Sequence, residues 1–184
     1  MAWNIDPAHT TVGFSARHMG LSKVRGRFES FRGEIEGDPS DISTIRGRAE
    51  IDTASVNTGN PDRDAHLRSA DFFDVENYPT MTFVSKSVSD NGDGAYKVVG
   101  DLTIKDVTRE VEVGYEHAGD GVDPWGNRKL GGTLYATIKR SDWGLTWNAV
   151  LESGGFLVSD KVQLEIDLQV VRRAESADEE AIAA

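Results

Sequence analysis

Apolar and polar residues alternate one by one along most of this chain, most regularly in Val162-Gln163-Leu164-Glu165-Ile166-Asp167-Leu168-Gln169-Val170. Successive side chains of a strand point to opposite faces, so this pattern predicts a strand with one apolar face. Thr11 to His18 repeats it, with Val12, Phe14, Ala16 and His18 on the apolar side. So do Ile45 to Ser55, with Ile45, Gly47, Ala49 and Ile51, and Gly94 to Lys105, with Tyr96, Val98, Gly100, Leu102 and Ile104. Between Lys23 and Gly37 the parity slips by one from Phe28 to Phe31, which predicts a β-bulge near Glu29-Ser30. Thr80 to Ser89, Val107 to His117 and Thr133 to Ser141 complete the set of predicted strands.

One segment breaks the period of two. Asn60 to Phe73 reads as a helix, with Asn60 as N-cap, Pro61 at the first helical position and Asp62 and Asp64 in the first turn. Asn91-Gly92-Asp93-Gly94 and Lys105-Asp106 have hairpin-turn chemistry, and the glycine-rich stretch from Gly119 to Gly132, with Pro124 and Trp125, reads as a loop. The expected fold is all-β: an eight-stranded antiparallel up-and-down barrel with one short helix between strands. Residues 1–173 form the single expected domain, and the acidic stretch 174–184, without apolar periodicity, is expected to be a disordered tail.

The composition of the inner face raises a question of content. Gly26, Gly33, Gly47 and Gly100 share the apolar parity, where a filled core would carry larger side chains, while rings such as Phe14, Phe28, Phe72, Phe83 and Trp143 stand elsewhere. Rings set against glycines suggest an elongated apolar cavity suited to a hydrocarbon chain. The formal net charge is −11, which argues against nucleic acid and weakens any attachment to anionic lipid by charge alone. The chain has no cysteine, hence neither disulfides nor zinc-thiolate sites. Met1 to Pro7 has no basic n-region or apolar run, which suggests a cytoplasmic protein, and no stretch is long and apolar enough for a membrane helix.

Signs of catalysis are thin. His9, His18, His66 and His117 lack metal-ligand spacing, no Gly-x-Ser-x-Gly elbow occurs, and the carboxylates concentrate at outward strand positions. The reading is therefore of a non-enzyme without metal or cofactor. His18 shares the inward parity and is read as a pocket histidine, with an acid–base role as the alternative. Arg68, on the helix, and Arg140, in parity with Leu134, Ala136 and Ile138, need partners if buried. Asp71 and Asp142 are candidates, as is an anionic head group.

Several blocks together resemble the YceI-like polyisoprenoid-binding family: Trp3-Asn4-Ile5-Asp6-Pro7-Ala8-His9-Thr10, Val24-Arg25-Gly26-Arg27-Phe28, Arg63 to Asp74, Tyr78-Pro79-Thr80-Met81-Thr82-Phe83, Gly100 to Ile104 and Lys139 to Leu145. The resemblance implies a lipocalin-like barrel with an internal tunnel for a polyprenyl chain, an isoprenoid quinone or a related fatty lipid, and frequent homodimers. It implies no catalytic activity. By position, Phe14, Phe28, Phe83, Leu102 and Trp143 would line the tunnel, joined by Phe72 from the helix, with His18, Arg68 and Arg140 near a polar end. The alternative to a container is an interaction module with a filled core.

Overall fold

The computed structural model describes residues 2–172. Its strands are β1 (Ala2–Ile5), β2 (Thr11–His18), β3 (Ser22–Phe28), β4 (Phe31–Asp38), β5 (Asp41–Asp52), β6 (Val56–Asn57), β7 (Thr80–Gly92), β8 (Ala95–Ile104), β9 (Val107–Val122), β10 (Arg128–Lys139) and β11 (Val158–Arg172), with one helix, α1 (Pro61–Arg68), between β6 and β7. All pairings are antiparallel.

Closure depends on strands that bend without leaving their neighbours. One edge of β11 pairs first with β2, through Asp167 opposite Thr11, and then with β1, through Val170 opposite Ile5. β1 and β2 thus act as one strand interrupted at Asp6–Thr10. β3 and β4 form a second such strand, pairing with β2 and β1 in turn, and the break falls at Glu29-Ser30 as the parity slip predicts. β5 and β6 make a third, joined by the short 3₁₀ turn Thr53–Ser55. With β7 to β11 these bent strands close an eight-stranded antiparallel barrel.

The interruption in the first strand is held by Asp6. Its carboxylate accepts hydrogen bonds from Gln169 Nε2 at 3.0 Å, from Lys129 Nζ at 3.4 Å and from the Ala8 N–H, and pairs with His9 Nδ1 at 2.9 Å. Burial works to raise its pKa, but these bonds outweigh burial and hold it below the usual carboxylate value. The Trp-Asn-Ile-Asp-Pro block is therefore a structural knot tying the first strand to β10 and β11.

Two elements differ from expectation. The helix stops at Arg68, where the Ser69 hydroxyl donates to the His66 carbonyl and Asp74 takes a left-handed φ of 49°. Ending there lets residues 69–77 fold back as turns, burying Phe72 and half-burying Phe73. The stretch Gly119 to Gly132 is mostly strand: β9 and β10 run on as a long hairpin and only Asp123–Asn127 turn, with an irregularity at Gly131/Gly132. The glycines are compatible with the ladder, and Gly132 leaves room for the ring of Tyr115, which a Cβ would meet at 2.4 Å. This replaces most of the expected loop with strand. The acidic stretch 174–184 lies outside the described residues.

Candidate ligand-binding lumen

The inner face has two zones. At the α1 end, Phe28, Ile51, Val56, Phe72, Met81, Ile104, Trp143 and Leu145 form one buried cluster. Much of its filling comes from outside the strands: Phe72 from the turns after α1, Trp143 from the 3₁₀ turn Arg140–Trp143 and Leu145 from the segment after it. Trp143, 2% exposed, is fixed by its indole N–H donating to the Leu102 carbonyl at 3.0 Å. This cluster is the floor of the barrel.

Above the floor the inward side chains are less covered. Val162, Leu164, Ile166 and Leu168 of β11 face Ile138, Ala136, Leu134 and Gly132 of β10, and all the side chains in this row remain half-buried. Inward parity is secured by Val12 and Phe14, which pack on the floor cluster and pair with Ile166 and Leu164. Phe83, Leu102, Tyr96 and Val98 are likewise half-buried. In a closed barrel, inward apolar side chains keep accessible surface only where the axis is unfilled.

The glycines do not create that space in the expected way. A Cβ on Gly26 would lie 2.5 Å from the ring of Phe14, which faces it on the next strand, and one on Gly100 2.6 Å from the ring of Phe83, its diagonal neighbour, so each ring lies over a glycine of the next strand. Gly33 is covered by the Ile5 side chain and the Arg48 carbonyl. Of the four, Gly47 has the least crowded position, with its nearest neighbour, Ile35 Cγ1, at 3.6 Å. The glycines thus let rings lie along the wall.

The two expected arginines sit at the α1 end, each engaged with main chain. Arg140, buried, donates from Nη1 to the Leu145 carbonyl at 2.6 Å and the Trp147 carbonyl at 2.9 Å, and from Nε to the Ser159 carbonyl at 3.0 Å. Burial lowers its pKa, opposed by the Asp160 carboxylate. Arg68 donates to the carbonyls of Ala54 and Val56 at 2.7 and 2.8 Å. Neither uses Asp71 or Asp142: Asp71 pairs with His66, and carbonyls of irregular segments supply what a carboxylate was expected to supply. A cleft of about 450 Å³ opens beside Arg140, lined by Arg17, Ser141, Asn148, Phe156 and Asp160. His18 is exposed at the end of β2 and makes no side-chain hydrogen bond among the described residues.

A polar cluster at the opposite end escaped the sequence reading. The Tyr115 hydroxyl lies 3.2 Å from both His117 Nδ1 and the Gly131 carbonyl, and the Tyr96 ring lies 6.0 Å from the Tyr115 ring. Burial pushes the Tyr115 pKa up to about 12, so its hydroxyl stays protonated at neutral pH. Trp3, 2% exposed and opposite Ile35 at the same end, carries an indole N–H with no acceptor among the described residues. The shared inward parity of Tyr96, Tyr115 and His117 was the available signal. Among the described residues no metal-binding cluster of His, Asp or Glu forms, and no helix is long and apolar enough to cross a membrane.

A closed antiparallel barrel with a packed floor, a half-buried apolar inner row above it and polar groups at the far end has the layout of a container. The chain belongs to the YceI-like family: the YceI-like domain matches residues 3–170. Among its relatives, the UPF0312 protein SAS2572 of Staphylococcus aureus (strain MSSA476) is 40% identical over 164 residues, covering 89% of this chain and 93% of the relative. BcnA of Burkholderia cenocepacia has a similar structure, with a TM-score of 0.77 at 28% identity, covering 90% of this chain and 98% of that one. A polyisoprenoid binding domain from Saccharophagus degradans, 16% identical over 91% of this chain and 97% of its own, shares the fold with a TM-score of 0.65.

Proposed function

We propose that this protein is a non-enzymatic carrier or store for a long-chain isoprenoid lipid, a polyprenyl chain or an isoprenoid quinone, held along the barrel axis. The observation that carries the reading is the half-buried inward row Val162 to Leu168 above a fully packed floor. That row spans about 20 Å at the rise of a strand, and each CH₂ brought into it contributes about 0.8 kcal/mol. Phe14, Phe83 and Leu102 border the chain, Phe28, Phe72 and Trp143 bound its end, and His18, Arg68 and Arg140 stand around the rim of the floor. Tyr96, Tyr115 and Trp3 offer the ligand's polar group hydrogen bonds at the far end. The polyisoprenoid binding domain of the same fold supports the ligand class.

The test is organic extraction of the purified protein with mass spectrometry of the extract, joined to thermal denaturation with added polyprenol. An isoprenoid species in the extract and a raised Tm are expected. Extracts without lipid and a Tm indifferent to polyprenol would overturn the reading. Cell fractionation tests the compartment, with the cytoplasmic fraction expected.

A further inference from the structure

Several cations on this barrel are matched with acids across neighbouring strands. Arg32 pairs with Glu50, Lys86 with Asp101 and Glu110, and Lys97 with Glu112. One stretch of outer wall instead sets cation opposite cation. Arg17 of β2 stands directly opposite Lys23 of β3, and Lys139 of β10 directly opposite Lys161 of β11. Val162 pairs with Ala16, which leaves Lys161 and Arg17 as the next residues along their two strands, and Arg25 follows Lys23 on the same face. All five are exposed, and none is ion-paired among the described residues. Like charges directly opposite in a sheet are destabilising, so this row across four strands weakens the fold it sits on.

The row borders an exposed apolar tip. The turn joining β2 to β3 carries Met19 and Leu21, and the Met19 N–H donates to the Leu157 carbonyl, which ties that turn to residues 149–157. In the latter segment Val150 and Phe156 bridge each other. Leu21 and Val150 are each 78% exposed and Phe156 62%. Lys23 lies two residues from Leu21, about 7 Å along the strand, and its flexible stem reaches further. The nearby acids are fewer and partly engaged: Asp160 is bound by the Ser141 hydroxyl and N–H, leaving Asp142 and Glu152.

We infer that this end of the barrel, the Met19–Leu21 and Val150–Phe156 tip with the Arg17, Lys23, Arg25, Lys139 and Lys161 row behind it, docks on the surface of an anionic lipid bilayer. Apolar tips enter the head-group boundary while cations at their base meet lipid phosphates, and the attraction is local, so the overall charge of −11 does not forbid it. The docking does not rest on the container reading, because the tip and the row lie at the floor end and are independent of what fills the axis.

Sedimentation with vesicles of phosphatidylglycerol and phosphatidylcholine, neither carrying isoprenoid, measures it. The protein should bind the mixed vesicles, lose them as ionic strength rises, and ignore vesicles of phosphatidylcholine alone. Arg17→Gln with Lys23→Gln should weaken binding at least tenfold, about fivefold per cation. Leu21→Ser with Phe156→Ser should weaken it as much, while Lys97→Gln, on a different part of the wall, should not. All are surface changes that leave thermal unfolding near wild type. Equal binding to both vesicle types, or unchanged binding by both double variants, overturns the inference. A concentration-dependent dimer abolished by the Leu21→Ser/Phe156→Ser change would also overturn it and assign the tip to a second copy of the chain. Since the vesicles hold no isoprenoid, a failure here leaves the lumen reading standing.

Discussion

Ile51 and Ile166 carry the same side chain on the same inner face of one closed sheet, yet Ile51 is buried in the floor and Ile166 is half-exposed. Their strands do not explain the difference. What separates them is what arrives from outside the sheet. Around Ile51, the turns after α1 and the segment Arg140 to Leu145 insert Phe72, Trp143 and Leu145, whereas β11 at Ile166 looks across the barrel with no such insertion. The interior of an eight-stranded barrel is narrow enough for side chains to fill or wide enough for one small ligand, so the irregular segments that insert Phe72, Trp143 and Leu145 help decide where it is core.

The comparison can be broken most forcefully at the floor. Arg140→Met removes the donors that hold the carbonyls of Leu145, Trp147 and Ser159, and chemical denaturation should register a loss of about 3–5 kcal/mol. The isoleucine pair gives the sharper contrast. Ile51→Ala should cost about 2–5 kcal/mol as for a packed core, and Ile166→Ala in ligand-free protein about 1 kcal/mol, since its neighbours already lack contacts on one side. Equal losses in urea titrations would mean that the axis is as filled as the floor.

Smaller effects probe the far end. Tyr96→Phe combined with Tyr115→Phe should lower affinity for a ligand with a polar head by about 1 kcal/mol, roughly fivefold, and leave a headless hydrocarbon unaffected in a displacement assay. The least effect concerns the knot at Asp6. Its folded pKa is depressed, so its contribution is present above the unfolded carboxylate value near 3.9 and is lost as pH falls through the lower folded value. Asp6→Asn should therefore lower Tm at pH 7 and flatten the decline of Tm below about pH 4.

Much of the barrel was legible because a period of two needs only the order of residues, and the Phe28–Phe31 slip located a break to the residue. The helix was read too long because Phe72 and Phe73 fit a helical stripe. The Ser69–His66 bond that turns the chain becomes visible only with the backbone in place. Gly26 and Gly100 marked the inner wall but not its content, since a glycine says nothing about whether a ring of the next strand lies over it. Arg140 required a buried partner, as charge burial demands, but main-chain carbonyls have no signature in sequence. Tyr96, Tyr115 and His117 were each on the right parity, and only the register brings their polar atoms to one end.

The central claim is that the axis above the floor is a binding space, and its most direct test is native mass spectrometry of the wild type beside Ile166→Trp after incubation with polyprenol. The account predicts one bound lipid per wild-type chain and none on the variant, whose indole occupies the axis while the floor keeps it folded. A wild type that never gains lipid mass, or a folded Ile166→Trp that binds as well as wild type, would contradict it.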